Sequence, residues 1–334
     1  MLQEYAAGQL AGKDDERPMI SLEDVLRARV VIGDRLHRTP TLSQATLGET
    51  AGVALWLKAE LFQRTGSFKA RGVLNKLASL TPEERTRGVI GMSAGNHAQA
   101  LAFGAALEGI AATVVMPLNA PLSKVAATKA YGAEVIQYGA TSVEMVDEYE
   151  RLVAVRGMTP VHPFYDPLVM AGQGTLALEI LEDVPDVEAV IVGIGGGGLI
   201  GGVATAIKES APHVRVIGVE PEGAPGMTRA LAAGGVVRLT AVDTIADGLA
   251  PPFVGELSLA VTQRYVDDVV LVSDAEIREA MIQILERAKL VAEPSGAAAF
   301  AALLARRAGV RPGARVVAVV SGGNIDHTRL KSLL

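Results

Sequence analysis

The chain of 334 residues has no cysteine, a single tryptophan and few aromatic side chains of any kind. Without cysteine there are no disulfides, no thiolate metal sites and no cysteine nucleophiles, and the composition fits a reducing compartment. There is no excess of positive charge either. A formal net charge of −6 leaves no basic field to draw in nucleic acid or an anionic membrane surface. No segment holds enough uninterrupted apolar residues to span a bilayer, and the first residues lack the basic start and apolar core of a secretory signal. The expectation is a cytoplasmic protein with no nucleic acid and no membrane among its partners, led by a polar, mobile arm over residues 1 to 18.

What the chain does have is alternation. From about residue 53, short β-branched runs alternate with longer segments of helical period, which is the pattern of a parallel sheet covered by helices and places the chain in the α/β class. Strands are expected at 53–60, 88–92, 111–117, 133–138, 188–194, 214–220, 266–273 and 314–323. A helix through SFKARGVLNKLASL sets Val73, Leu74, Leu77 and Leu80 on one face. Residues 88 to 165 hold four strand signals and three helix signals of their own. They are expected to form a small inserted domain, with 19 to 87 and 166 to 334 making the large one and a cleft between them.

The stretch EAVIVGIGGGGLIGG reads as strand, glycine turn and helix start, and the amides of Gly195, Gly196, Gly197 and Gly198 would make a phosphate pocket. Two other readings stand beside it. Glycines can simply tighten a turn. Alternatively, Gly193, Gly195 and Gly198 fit G-x-G-x-x-G with Glu220 at the end of the next strand, as in a dinucleotide fold, although the motif comes late in the chain and the tetrad is unbroken.

In KAELFQRTGSFKARG, residues 58 to 72, Ser67 reads as an N-cap and Lys69 falls in the first helical turn, where the dipole favours a neutral, nucleophilic amine. Phe68 beside it would cover one face of an aromatic cofactor. A lone lysine at such a place is otherwise a solvated surface charge.

Together these segments resemble the fold-type-II pyridoxal 5'-phosphate (PLP) enzymes, in the threonine dehydratase and serine racemase branch. The resemblance runs in order through LHRTPTLSQA, ELFQRTGSFKARG, MSAGNHAQALAF, AGQGTLALEIL, GGGGLIGG, TIADGLA, EPSGAAAFAALL and SGGNIDHTRL. It implies a two-lobed fold like that of tryptophan synthase β, each lobe a mostly parallel sheet flanked by helices, in a homodimer or homotetramer. It implies that Lys69 carries the Schiff base and then serves as the base at Cα. Phe68 packs on the pyridine ring, the amides of Gly195 to Gly198 and Leu199 hold the phosphate, Asn96 bonds the 3'-oxygen, and Ser321 faces the ring nitrogen. Ser93, Ala94, Gly95, Asn96 and His97 bind the substrate carboxylate. A hydroxyl at the ring nitrogen supplies no negative charge, so the ring is a weaker electron sink, suited to prompt loss of a β-leaving group. The implied reaction converts L-threonine or L-serine to a 2-oxo acid and ammonia. Alternatives are another β-hydroxy substrate (threo-3-hydroxyaspartate, an aryl-serine), racemisation, a nicotinamide-dependent oxidoreductase, or a non-catalytic metabolite-binding protein.

The chain departs from its relatives in three places. Racemases of this branch carry a serine where Ala94 stands, and alanine cannot move a proton, so elimination is favoured. The branch's divalent-cation site uses a glutamate, a backbone carbonyl and an aspartate; Glu220 and Ala224 match, but Gly226 replaces the aspartate, so no metal is expected, Glu220 and Ala224 stay weak candidates for one, and Glu220 reads first as an exposed strand-end acid. The sequence stops soon after SGGNIDHTRL, without room for an amino-acid-sensing domain. His37, His162 and His213 read as surface or turn residues, and Asp247 and Glu293 as acids explained equally by a site or by salt bridging and capping.

Overall fold

A computed structural model describes residues 19–139 and 142–334, so the arm expected over residues 1 to 18 lies outside the described residues. Among the described residues ten strands form two sheets. In chain order they are β1 (Thr41–Ser43), β2 (Ala54–Ala59), β3 (Val89–Met92), β4 (Ala112–Met116), β5 (Glu134–Gln137), β6 (Thr159–Pro160), β7 (Ala189–Gly193), β8 (Arg215–Pro221), β9 (Asp268–Val272) and β10 (Arg315–Val320). The larger sheet has the order β1-β2-β10-β7-β8-β9 and the smaller β5-β4-β3-β6. All neighbours pair in parallel except β1, which runs antiparallel to β2.

The strand runs expected from sequence are all present. Every residue of β4 and β7 is buried, as strands covered on both faces require. The sequence reading missed β1 and β6, which have three and two residues and are too short to display a period. Pro160 ends β6 at the sheet's edge, where a missing N–H costs no ladder bond.

Crossovers in a parallel sheet return every strand in one direction, so the loops after their carboxyl ends gather on one side. Those after β3, β7 and β10, with the helix starts that follow the first two, carry Ser93 to His97, Gly195 to Leu199, and Ser321.

The Lys69–Ala78 helix lies between two partners. Val73, Leu74 and Leu77 pack with Ala98, Leu101 and Ala105 of the Asn96–Glu108 helix. Its opposite side meets the Pro167–Asp183 helix so closely that a Cβ on Gly72 would stand 2.5 Å from the Val169 carbonyl oxygen, and one on Gly172 2.6 Å from the Cα of Gly72. The Pro167–Asp183 helix makes a second such crossing with the Gly198–Ser210 helix, where a Cβ on Gly174 would lie 2.7 Å from the carbonyl oxygen of Gly202. One helix thus holds both the lysine helix and the glycine-turn helix by backbone contact.

Beneath the lysine helix lies a buried ionic cluster. Arg71 donates to Glu60 at 2.8 and 2.9 Å and to Glu179 at 2.7 and 3.0 Å, and Lys58 donates to Glu179 at 2.6 Å and to the Thr39 carbonyl at 2.7 Å. Thr39 also donates its hydroxyl to Glu60. Two cations face two anions, so the cluster is neutral overall, and its hydrogen bonds offset the cost of removing four ions from water.

Candidate active site

Phe68, Lys69, the SAGNH segment, the glycine tetrad with Leu199, and Ser321 line one cavity of about 640 Å³. Glu220 and Ala224 do not.

Lys69 is the first residue of its helix, but the cap differs from expectation. Phe68 is the N-cap residue and supplies no side-chain bond, while the Ser67 hydroxyl is buried without a partner. The Phe68 amide instead donates to the Ser321 carbonyl at 3.1 Å, tying the helix start to the end of β10. Lys69 Nζ donates to the Pro163 carbonyl at 3.0 Å and stands 5.0 Å from the Phe68 ring centroid. Burial lowers its pKa to about 8, partly opposed by the negative charge of Glu293. An amine so placed is neutral in a useful fraction of molecules near neutral pH.

Opposite the lysine, the glycine turn opens the Gly198–Ser210 helix, whose first amides have no partner within the helix. Gly197 is the N-cap, with φ of +91°, and a Cβ there would meet the Ser258 Cβ at 2.5 Å. A Cβ on Gly195 would stand 2.8 Å from the Gly248 carbonyl oxygen, and one on Gly196 would enter the Phe164 ring. The turn therefore needs glycine for close packing on one side, while its amides remain available to an anion on the other. Such a cradle, facing an amine of lowered pKa, fits a phosphate-bearing aldehyde such as PLP.

SAGNH begins the Asn96–Glu108 helix. Gly95 is the N-cap, and its amide donates to the Ser93 hydroxyl at 3.1 Å. The imidazole of His97 is buried and pairs with the Val161 carbonyl at 2.8 Å; burial, reinforced by the Lys69 charge, holds its pKa down at about 3, so it is neutral and Nε2 carries the hydrogen. The Ser321 hydroxyl contacts the Ser295 carbonyl at 3.4 Å.

Several readings change. Glu220 is buried, not exposed: its carboxylate accepts from the Met227 amide at 2.6 Å, the Thr228 amide at 2.9 Å and the Thr228 hydroxyl at 2.7 Å. The carboxylate is committed to the start of the Gly226–Ala233 helix and is not free for a ribose. The Ala224 carbonyl accepts from the Gly226 amide at 3.0 Å. Among the described residues no cluster of three or more His, Asp and Glu could hold a metal. His162 is partly buried, and its Nδ1 accepts from the amides of Phe164 and Tyr165 at 3.3 and 3.0 Å, which shapes the turn carrying Pro163 to Lys69. Burial, with the Lys69 charge, keeps its pKa near 4.

Glu293 occupies the N-cap of the Pro294–Leu304 helix but does not cap it. It lines the cavity and accepts from Asn96 Nδ2 at 2.6 Å. Asp247 lines the same cavity with its carboxylate 3.8 Å from Lys124.

Comparison with known proteins agrees with this geometry. Residues 32–322 match the family described as pyridoxal-phosphate dependent enzyme. An L-threonine ammonia-lyase of Thermotoga maritima is 47% identical over 316 residues, covering 95% of this chain and 78% of that protein. The catabolic L-threonine dehydratase TdcB of Escherichia coli K12 is 42% identical, covering 94% of this chain and 96% of that protein. The structure of maize serine racemase superposes with a TM-score of 0.90 at 38% identity, covering 94% of this chain and 97% of that one. No helix among the described residues is long and apolar enough to cross a membrane. With a match of this extent, and a lysine and a glycine turn lining one cavity, the chain belongs to the pyridoxal-phosphate dependent enzyme family.

Proposed function

We propose that this enzyme is an ammonia-lyase that removes water and then ammonia from L-threonine or L-serine, releasing a 2-oxo acid. The observation that carries the reading is the opening of the Lys69 amine and the glycine turn onto one cavity, next to the helix start at SAGNH. The names of the ammonia-lyase and dehydratase relatives support it.

Bound there, PLP supplies an aldehyde that condenses with amines and a ring that withdraws electrons from Cα. The amides of Gly195 to Gly198 and Leu199 would hold its phosphate, Lys69 would be the amine that joins it, Phe68 would pack on the ring, and Asn96 would donate to the 3'-oxygen. The Ser321 hydroxyl would face the ring nitrogen without adding charge there. Ser93, Ala94, Gly95, Asn96 and His97 receive the substrate carboxylate, with amides at a helix N-terminus favouring the anion. The Lys69 amine takes the proton from Cα, a task suited to its lowered pKa. The catalytic cavity lies between a small lobe of residues 88 to 165 and a large lobe of 19 to 87 and 166 to 334, in a cytoplasmic homodimer or homotetramer.

Racemisation is the second reading, favoured by the likeness to maize serine racemase. Ala94 argues against it as the main reaction, because a second proton carrier is needed on the face opposite Lys69. The test is 2-oxo acid release by the PLP-reconstituted protein from L-threonine, L-serine and threo-3-hydroxyaspartate, with chiral analysis of unreacted substrate. Absence of 2-oxo acid from all three overturns the proposal.

A further inference from the structure

A directional chain of hydrogen bonds crosses the cavity wall. It begins at the Thr65 carbonyl, which can only accept, and receives Asn324 Nδ2 at 2.7 Å. The same Nδ2 donates its other hydrogen to Asn96 Oδ1 at 2.8 Å, and Asn96 Nδ2 donates to Glu293 Oε1 at 2.6 Å. The Thr65 carbonyl has no hydrogen to give, so this end alone fixes the orientation of both amides, and the Glu293 carboxylate oxygen accepts at the other end. The Asn96 amide therefore has its oxygen turned to Asn324 and one amine hydrogen spent on Glu293. One hydrogen is left uncommitted.

The surroundings preserve this arrangement. A Cβ on Gly322 would stand 2.6 Å from Glu293 Oε1 and 3.2 Å from Asn96 Nδ2, so the end of β10 runs against the chain with no room for a side chain. The groups facing Glu293 are the Lys69 and Lys124 amines and the Asp247 carboxylate. Burial pushes the Glu293 carboxyl up to about 7, against the hydrogen bond from Asn96, which favours the ionised form.

We infer that Glu293 is a positioning residue: with Asn324 it locks the rotation of the Asn96 amide so that a donor, never an acceptor, is presented to the oxygen atom of a bound ligand. The inference rests on the PLP reading, in which that oxygen is the cofactor's 3'-oxygen. Without the lock the Asn96 amide can turn its carbonyl toward an anionic oxygen, and the contact becomes repulsive.

The experiment is a double-mutant cycle on cofactor affinity, read by titrating cofactor-free protein with PLP and following Trp56 fluorescence and the visible absorbance band. Asn96→Ala and Glu293→Met each weaken PLP binding about tenfold, as loss of one hydrogen bond to a charged partner would. Glu293→Gln, which keeps an acceptor oxygen, stays within about threefold of the unmodified protein. Glu293→Met adds nothing further in the Asn96→Ala background, and it shifts the visible band only when Asn96 is present. Asn324→Leu, at the other end of the chain, repeats this pattern and serves should Glu293→Met fail to fold by circular dichroism. Unchanged affinity in Glu293→Met, or losses that multiply in the double variant, overturn the inference. If Asn96→Ala binds PLP as tightly as the unmodified protein, Asn96 is not the donor and the inference falls while the cofactor reading stands. If the unmodified protein binds no PLP, that reading fails and takes the inference with it.

Discussion

Lys69 Nζ donates to the carbonyl oxygen of Pro163 across 3.0 Å, linking the start of one helix to a turn 94 residues further along the chain. The carbonyl supplies a partner but no negative charge, so burial still dominates and the pKa settles at about 8 instead of the usual 10.5. The turn that presents this oxygen is shaped by His162, whose unprotonated Nδ1 collects two amides. The amine is thereby both oriented and kept easy to deprotonate.

That pKa sets a pH dependence. The rate of PLP uptake by cofactor-free protein rises roughly tenfold from pH 7 to 9, with a midpoint about pH 8, because only the neutral amine attacks an aldehyde. For stability the sign is positive over the next interval: the unfolded chain binds the extra proton between about 8 and 10.5, so the burial penalty present below pH 8 is relieved as pH rises through that window. Stopped-flow absorbance checks the first effect. Urea midpoints compared with those of Lys69→Ala check the second, since the variant lacks this component.

Lys69→Ala abolishes the visible band that borohydride would otherwise bleach and lowers 2-oxo acid release by about 10³-fold or more. Retention of a borohydride-sensitive band in this variant assigns the covalent bond to another amine.

Ala94→Ser adds a hydroxyl to the cavity wall at a partly buried position. It is expected to shift thermal stability by less than about 0.5 kcal/mol and to introduce racemisation of unreacted serine, detected by chiral chromatography. An unaltered enantiomer ratio after prolonged turnover counts against a role for this position in reaction outcome.

Gly196→Ala drives a methyl group into the Phe164 ring. The turn must shift, at a cost of about 1–3 kcal/mol in stability and with weaker PLP binding. Calorimetry and a PLP titration check both; loss of stability with unaltered affinity shows that the turn moves without disturbing the cofactor.

Arg71→Met leaves Glu60 and Glu179 buried with only Lys58 nearby, which costs about 3–5 kcal/mol. Denaturant unfolding measures it.

The strands were readable because buried parallel strands are written as runs such as AVIVG and ATVVM, and the glycine turn because four adjacent glycines have few other uses. Lys69 became readable only in company with those motifs. For Glu293 a site and a cap stood equally open, because a glutamate before proline at a helix start has the appearance of a cap and its partner Asn96 is 197 residues away in sequence. His162 was expected at the surface or in a turn and lies in a turn, but the two amides it collects there were not legible, because no periodicity records the shape of that turn. Glu220 looked like a free acid at a strand end, yet the chain folds back within eight residues to cover it.

The paired glycine crossings of the Pro167–Asp183 helix give the molecule a ruler. The span from the lysine helix to the glycine-turn helix passes through main chain resting on main chain, at Gly72 with Gly172 and at Gly174 with Gly202. Swelling either crossing by one methyl group would lengthen the span, and the protein would then discriminate against its own cofactor by size before any substrate arrived.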